Sequence, residues 1–163
     1  MKLYRAICER LASAARAVVV VLAVVMLVAL SLQVVMRYAF GHPLSWSEEL
    51  AVTCFGWAML LAIAAGVRDA VHVRMELVVD RLPPPWRLAL ERLLSAAIAL
   101  AGGFLAWSGM AYASNSGGMV SAAIGYPLSW LYASAPVCGA LIALFGLERA
   151  LFGPPASDVP ATG

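Results

Sequence analysis

The chain has 163 residues, of which 63% are hydrophobic and only 12% are charged, and its formal net charge is +2. Four stretches contain no Asp, Glu, Lys or Arg: residues 17–36, 50–67, 93–112 and 128–147. Each stretch can cross a hydrocarbon core of about 30 Å as a helix, and a soluble protein of this size could not hide so much apolar surface. The composition excludes a separate globular domain and predicts an all-α integral membrane domain, residues 1–152, with four transmembrane helices.

The cationic residues lie on one side of these spans. Ten of the eleven Lys and Arg residues precede span 1, separate spans 2 and 3, or follow span 4, and Arg37 is the exception. Because cytoplasmic loops of membrane proteins are enriched in Lys and Arg, we predict that both termini are cytoplasmic and that residues 37–49 and 113–127 lie outside. The apolar run of span 1 is too long for a signal peptide, so we expect a retained helix.

The segment between spans 1 and 2 collects candidate functional side chains. Ser45 and Glu48 have capping-box spacing, which predicts that Ser45 caps the second helix. Glu49 also suits a positive helix N-terminus, and Arg37 is a natural counter-charge for one of the glutamates. A capped and salt-bridged helix start explains much of this pattern. The alternative is that Arg37, Trp46 and the second acid form a contact surface for another protein.

A short internal repeat marks both outer helix starts. Residues 41–46 read GHPLSW and residues 125–130 read GYPLSW, so five of six positions are identical. Proline suits the first turn of a helix, and tryptophan suits the membrane interface. One explanation is a duplicated hairpin related by an axis along the membrane normal. The other is that two helix starts acquired the same local chemistry.

The segment between spans 2 and 3 is predicted to form an amphipathic cytoplasmic arm helix. Arg68, His72, Glu76 and Asp80 recur every four residues, which places them on one helical face. The alternation of apolar and polar residues there also fits a strand, but an unpaired strand at a membrane surface leaves backbone groups unsatisfied. The arm would contact either membrane lipids or a partner protein. The Pro- and Gly-containing tail, residues 153–163, is predicted to be disordered.

Span 3 contains a patch of small residues, and small residues allow helix backbones to approach closely. The patch consists of Ala96, Ala97, Ala99, Ala101, Gly102, Gly103 and Ala106. It predicts that span 3 packs against another helix, although alanine is also a common helix former.

The spans lack the side chains that transport or catalysis usually requires. None contains an ionisable Asp, Glu, Lys, Arg or His, which mark substrate and proton pathways in membranes. His42 and His72 fall on opposite predicted sides, so they indicate neither a haem nor a metal site. Cys8, Cys54 and Cys138 form no CxxC motif and are expected to be small buried residues. We predict no catalytic residue, substrate-binding residue, metal or cofactor in this chain.

Residues 33–83 resemble the small membrane subunit of tripartite ATP-independent periplasmic (TRAP) transporters, the DctQ-like family. The pattern is R-x-x-F…P-x-x-W-x-E-E…W…R-x-x-x-H. It is carried by Arg37, Phe40, Pro43, Trp46, Glu48, Glu49, Trp57, Arg68, His72 and Asp80. Family members often have two glycines before the histidine and an Asp in place of Glu76, whereas this chain has Ala70 and Val71 before His72.

The resemblance implies a non-catalytic subunit of the bacterial inner membrane beside a large permease that carries the substrate and coupling-ion sites. A soluble periplasmic binding protein would deliver an organic acid, such as a carboxylate, and a sodium gradient would drive symport. The small subunit would brace the permease and help the binding protein dock. Two other classes stay open: a self-standing oligomeric transporter or channel, and a membrane anchor of an enzyme complex.

Overall fold

The computed structural model describes residues 2–42, 44–69 and 84–152. Its helices are α1 (Lys2–Ala39), α2 (Ser45–Arg68), α3 (Pro84–Asn115), α4 (Ser129–Tyr132) and α5 (Ser134–Phe152). Helices α1, α2 and α3 and the α4–α5 unit are each long and apolar enough to cross a membrane. This confirms the prediction of an all-α protein with four membrane-spanning helices.

Two predicted features lie outside the described residues. One is the arm, with His72, Glu76 and Asp80, and the other is the tail at residues 153–163. The cytoplasmic placement of the termini stays a prediction. We therefore name the two ends of the molecule by their contents. The loop end carries residues 40–42 and 116–128, and the terminal end carries the start of α1 and the ends of α2 and α5.

Helix α1 is longer than one membrane crossing requires. Its 38 residues contain neither Gly nor Pro, and they extend about 57 Å at 1.5 Å per residue. The helix stops just before Gly41, whose φ of +70° lies in the left-handed region that favours glycine. The extra length adds helical turns before the uncharged stretch that starts at residue 17.

The predicted fourth span is divided in the structure. Ala133 separates α4 from α5, whereas the sequence predicted one helix over residues 128–147. Pro136 explains the break, because proline has no N–H to donate and its ring clashes with the carbonyl four residues earlier, on Tyr132. The helical direction continues, since the Val137 N–H donates to the Ala133 carbonyl at 3.3 Å.

The long helices pack in the order α1, α2, α5, α3, so they form a row. The α3–α5 contact is the most extensive, followed by α1–α2 and α2–α5. Helices α1 and α3 are the ends of this row. Only 6% of the most hydrophobic stretch of α1 is buried within the chain, against 39% for α4–α5. Helix α1 therefore presents most of its apolar surface to lipid or to another protein.

Glycines bring α3 and α5 into backbone contact. A Cβ atom at Gly102 would lie 2.6 Å from the Ala143 nitrogen, and one at Gly109 would lie 2.9 Å from the Pro136 nitrogen. Gly103, by contrast, has no neighbouring atom within 4 Å of such a position. The predicted small-residue patch thus packs against another helix through one face only.

A cluster of buried side chains joins α1, α2 and α5. All three cysteines are free and buried, as expected for cysteines outside a CxxC motif, and two of them belong to this cluster. The remaining members are small or aliphatic, apart from one fully buried phenylalanine. The cluster consists of Cys8, Ala12, Ala64, Val67, Cys138, Ile142 and Phe145.

Candidate functional site: polar clusters at the two ends

Most of the described polar side-chain contacts between elements fall into two groups, one at each end; Trp57, which donates to the Trp130 carbonyl at 3.1 Å, and Cys138, which donates to the Leu60 carbonyl, lie outside them. The loop-end cluster consists of Gln33, Glu48, Glu49, Thr53, Ser121 and Tyr126. The terminal-end cluster consists of Tyr4, Arg16, Arg68, Asp69, Glu148 and Arg149. Several sequence-predicted site residues belong to these groups, but their partners differ from those that the sequence suggested.

Glu49, in the first turns of α2, holds the loop between α3 and α4. Its carboxylate accepts hydrogen bonds from the Ser121 hydroxyl, from the Ala123 N–H at 2.9 Å and from the Ile124 N–H at 3.1 Å. Hydrogen bonds to an ionised acceptor are about twice as strong as neutral ones. Glu49 therefore fixes the position of a loop that is remote from it in the sequence.

The loop at residues 116–128 is folded tightly enough to present these donors. The Leu128 N–H donates to the Met119 carbonyl, and the Ser121 N–H donates to the Tyr126 carbonyl, both at 2.9 Å. Gly125, with φ +75°, allows the reversal between the two sides. The hydroxyl groups of Tyr126 and Thr53 are 2.6 Å apart and form a hydrogen bond. Because Thr53 lies on α2, this second contact fixes the loop to the same helix as Glu49 does.

The two copies of the repeat share a local conformation. Gly41 and Gly125 both have positive φ, and α2 and α4 both begin at the serine four residues later, Ser45 and Ser129. The copies differ in their contacts, because only the second supplies a tyrosine that reaches Thr53. The shared conformation fits either of the two explanations for the repeat.

Glu48 joins α1 to α2. Gln33 Nε2 donates to Glu48 Oε1 at 2.7 Å. Arg37 is exposed, and among the side chains that the structure describes it forms no ion pair with either glutamate. Arg37 was expected to be the counter-charge of one of the glutamates, but the structure shows other partners for both carboxylates.

The capping-box prediction for Ser45 is wrong. The residue that precedes α2 is Leu44, with extended backbone angles, and no side chain caps the helix there. Ser45 is already helical, so its hydroxyl is not in the capping position, and the Glu48 side chain is engaged by Gln33. Ser47 instead donates its hydroxyl to the Leu44 carbonyl at 2.7 Å.

Trp46, predicted to contact a partner, is exposed at the loop end. It belongs to a rim of large exposed apolar side chains that lie on the two loops of the loop end and on the adjoining helix ends. The rim consists of Tyr38, Phe40, Trp46, Met119, Val120, Ile124 and Trp130. The sequence analysis singled out Trp46 alone, and four of the seven rim residues lie on α4 or on the loop before it, which Glu49 holds beside α2.

Arg68, at the end of α2, is used inside the protein. Its Nε lies 3.5 Å from Oε2 of Glu148, and the two side chains are only 11% and 6% exposed. The Arg149 Nη1 donates to the Arg68 carbonyl at 3.0 Å. Glu148 was missed in the sequence because it follows the fourth uncharged stretch and resembles an ordinary helix end.

Helix α1 is fastened at the terminal end by two further contacts. Arg16 Nη1 donates to both carboxylate oxygens of Asp69, at 2.8 and 2.9 Å. The Tyr4 hydroxyl donates to the Leu144 carbonyl at 3.0 Å. Because the Arg16 and Asp69 side chains are 47% and 41% exposed, this ion pair contributes at most about 1 kcal/mol. Within residues 2–42, 44–69 and 84–152, no three metal-binding side chains cluster.

Four membrane-crossing helical units with polar clusters at their two ends define a small multi-pass membrane protein. Residues 26–152 match the family described as tripartite ATP-independent periplasmic transporters, DctQ component. The chain belongs to this family, as the resemblance of residues 33–83 predicted, and it is a multi-pass protein of the bacterial inner membrane.

The relatives that the chain matches are named as TRAP transporter proteins. The chain is 29% identical over 124 residues to the sialic acid TRAP transporter small permease protein SiaQ of Vibrio cholerae serotype O1. That match covers 76% of this chain and 72% of the relative. This chain is also 26% identical over 110 residues to the sialic acid TRAP transporter permease protein SiaT of Haemophilus influenzae. This second match covers 68% of the chain but only 18% of SiaT.

Proposed function

We propose that this chain is the non-catalytic small subunit of a TRAP-type secondary transporter for organic acids. It braces a large permease subunit, and its loop end helps a periplasmic substrate-binding protein to dock. The match to SiaT supports the first part, because the similar region is less than a fifth of a larger permease protein. The open row of helices supports it as well, since α1 leaves most of its apolar surface uncovered by this chain.

The observation that carries the docking proposal is the loop held by Glu49. Three donors of the 116–128 loop converge on one carboxylate, so the loop is fixed in place. Met119, Val120 and Ile124 of this loop belong to the exposed apolar rim, and exposed apolar patches commonly mark protein interaction sites. With the predicted orientation the rim faces the periplasm, where a binding protein would arrive.

Reconstitution tests the transport role. Vesicles with this chain, the permease and the binding protein should take up a carboxylate such as sialic acid when a sodium gradient is applied. Vesicles that lack this chain should show little uptake. Flux through vesicles that contain this chain alone would instead support the self-standing transporter or channel.

The Glu49→Gln variant tests the docking role. Glutamine carries no charge and keeps only one acceptor oxygen, so part of the anchorage of the loop should be lost. We expect a several-fold rise in the binding-protein concentration that gives half-maximal uptake, with unchanged co-purification of the permease.

Glu48→Gln is the matched control. Its amide oxygen still accepts from Gln33, and Glu48 makes no described contact with the loop, so uptake should stay close to normal. Equal binding-protein dependence in both variants and the unaltered chain would contradict the docking proposal.

A further inference from the structure

An apolar groove runs between α1 and α2 at the terminal end. It has a volume of about 460 Å³ and opens beside the Arg16–Asp69 ion pair. The α1 side of the groove carries branched valine side chains, whereas the α2 side carries only alanine and glycine. These side chains do not fill the space between the two helices, so an open trough remains. The apolar lining consists of Val19, Val20, Ala62, Ala65 and Gly66.

The groove crosses the boundary between water and membrane. Arg16 immediately precedes the uncharged stretch of α1, and Asp69 immediately follows α2. Val19 and Val20 lie about one turn deeper than Arg16, and Ala62 lies about two turns deeper than Asp69. A charged mouth therefore leads into an apolar trough, whichever side of the membrane this end faces.

The ion pair at the mouth has unused hydrogen-bonding capacity. Arg16 contacts Asp69 through Nη1 alone, and in the described part of the chain its Nε and Nη2 have no partner. Each Asp69 oxygen accepts one hydrogen bond from Arg16 and can accept another. The mouth thus offers donors for an anion and acceptors for a cation side by side.

We propose that this groove binds a phospholipid with a phosphoethanolamine headgroup. The lipid phosphate accepts from the free guanidinium N–H groups of Arg16, and the ammonium donates to Asp69. The upper part of one acyl chain fills the trough between Val20 and Ala62. The lipid completes the α1–α2 contact, which the chain itself leaves open.

The charges favour this headgroup over the other common ones. The C-terminal end of α2 carries a partial negative charge, which adds to that of Asp69 and attracts an ammonium group. A phosphatidylglycerol headgroup has no cation to place there, so its phosphate alone meets a neutral ion pair. A phosphatidylcholine headgroup has the cation, but its methylated nitrogen cannot donate a hydrogen bond to Asp69.

Native mass spectrometry of the full chain in mild detergent tests the proposal. The chain is titrated with phosphatidylethanolamine, phosphatidylglycerol or phosphatidylcholine of identical acyl chains. We expect about two- to fivefold tighter binding of phosphatidylethanolamine, the range that an exposed charge contact of up to about 1 kcal/mol allows. Asp69→Asn should remove this preference, and Arg16→Gln should weaken the binding of all three lipids.

Filling the trough gives a test that leaves the ion pair intact. Ala62→Trp should lower phosphatidylethanolamine binding, whereas Ala140→Trp, at an exposed position on α5, should leave it unchanged. Equal binding of the three lipids by the unaltered chain would overturn the proposal. So would undiminished binding by the Ala62→Trp variant, or release of the lipid when the permease is added, which would assign the groove to that subunit.

Discussion

The α3–α5 and α1–α2 contacts are built in different ways. In the first, Gly102 and Gly109 allow the two backbones to meet. In the second, polar pairs fasten the helices near their ends, Gln33 with Glu48 and Arg16 with Asp69, and a groove stays open between them. The first contact is held by close backbone packing over much of its length. The second leaves α1 available to lipid and to a partner subunit.

The Arg68–Glu148 ion pair joins α2 to α5 and so connects the α1–α2 pair to the α3–α5 pair. Among the contacts compared, its loss should lower the stability of the protein most. Glu148→Ala would leave the Arg68 guanidinium, with its side chain only 11% exposed, without its carboxylate. We expect a loss of about 3 kcal/mol in unfolding free energy, because removal of one member of a buried ion pair strands the other charge. Reversible unfolding in mixed detergent micelles measures this loss.

The double variant Arg68→Ala/Glu148→Ala is the control, since it removes both charges together and should cost less than the two single changes combined. A Glu148→Ala protein as stable as the unaltered chain would show that the pair is solvated and does not join the helix pairs.

The tight α3–α5 contact can be broken with one methyl group. Ordinarily Gly→Ala stabilises a helix by up to about 1 kcal/mol. At Gly102 the added Cβ would lie 2.6 Å from the Ala143 nitrogen, so the helices must separate, and we expect a net loss of about 1–3 kcal/mol. The same unfolding measurement reports it.

Gly103→Ala is a matched control one residue away, because nothing lies within 4 Å of its added Cβ. It should be neutral or slightly stabilising. Equal effects at the two glycines would mean that α3 and α5 do not meet through their backbones.

The polar fastening of α1 should be the weakest of the three. Arg16→Ala removes an exposed ion pair, so the unfolding free energy should fall by only about 0.2–1 kcal/mol, and less at high salt. The salt dependence of the difference between variant and unaltered chain checks this expectation. A loss as large as that at Gly102 would show that α1 depends on this pair as strongly as α3 depends on the glycines.

Much of the fold could be predicted, but little of the candidate site. The capping box at Ser45 was wrong because the local pattern does not reveal that the preceding residue adopts the extended conformation. The break at Ala133 was missed because hydropathy does not register the N–H that Pro136 lacks. The predicted surface around Trp46 was incomplete, since four of the seven rim residues lie on α4 or on the loop before it.

The sequence by itself determined four membrane-crossing helices, buried cysteines and family membership. Each of these conclusions rests on residues that lie close together in the sequence. The helices, for example, follow from uncharged stretches whose length matches the thickness of a bilayer. Only the tertiary structure decided that Glu49 holds a loop and that Arg68 pairs with Glu148. Ser121 lies 72 residues from Glu49 and Glu148 lies 80 residues from Arg68, so nothing in the neighbouring sequence specifies either partner. A charge near the end of a helix has many possible partners, and the packing order α1, α2, α5, α3 selects one.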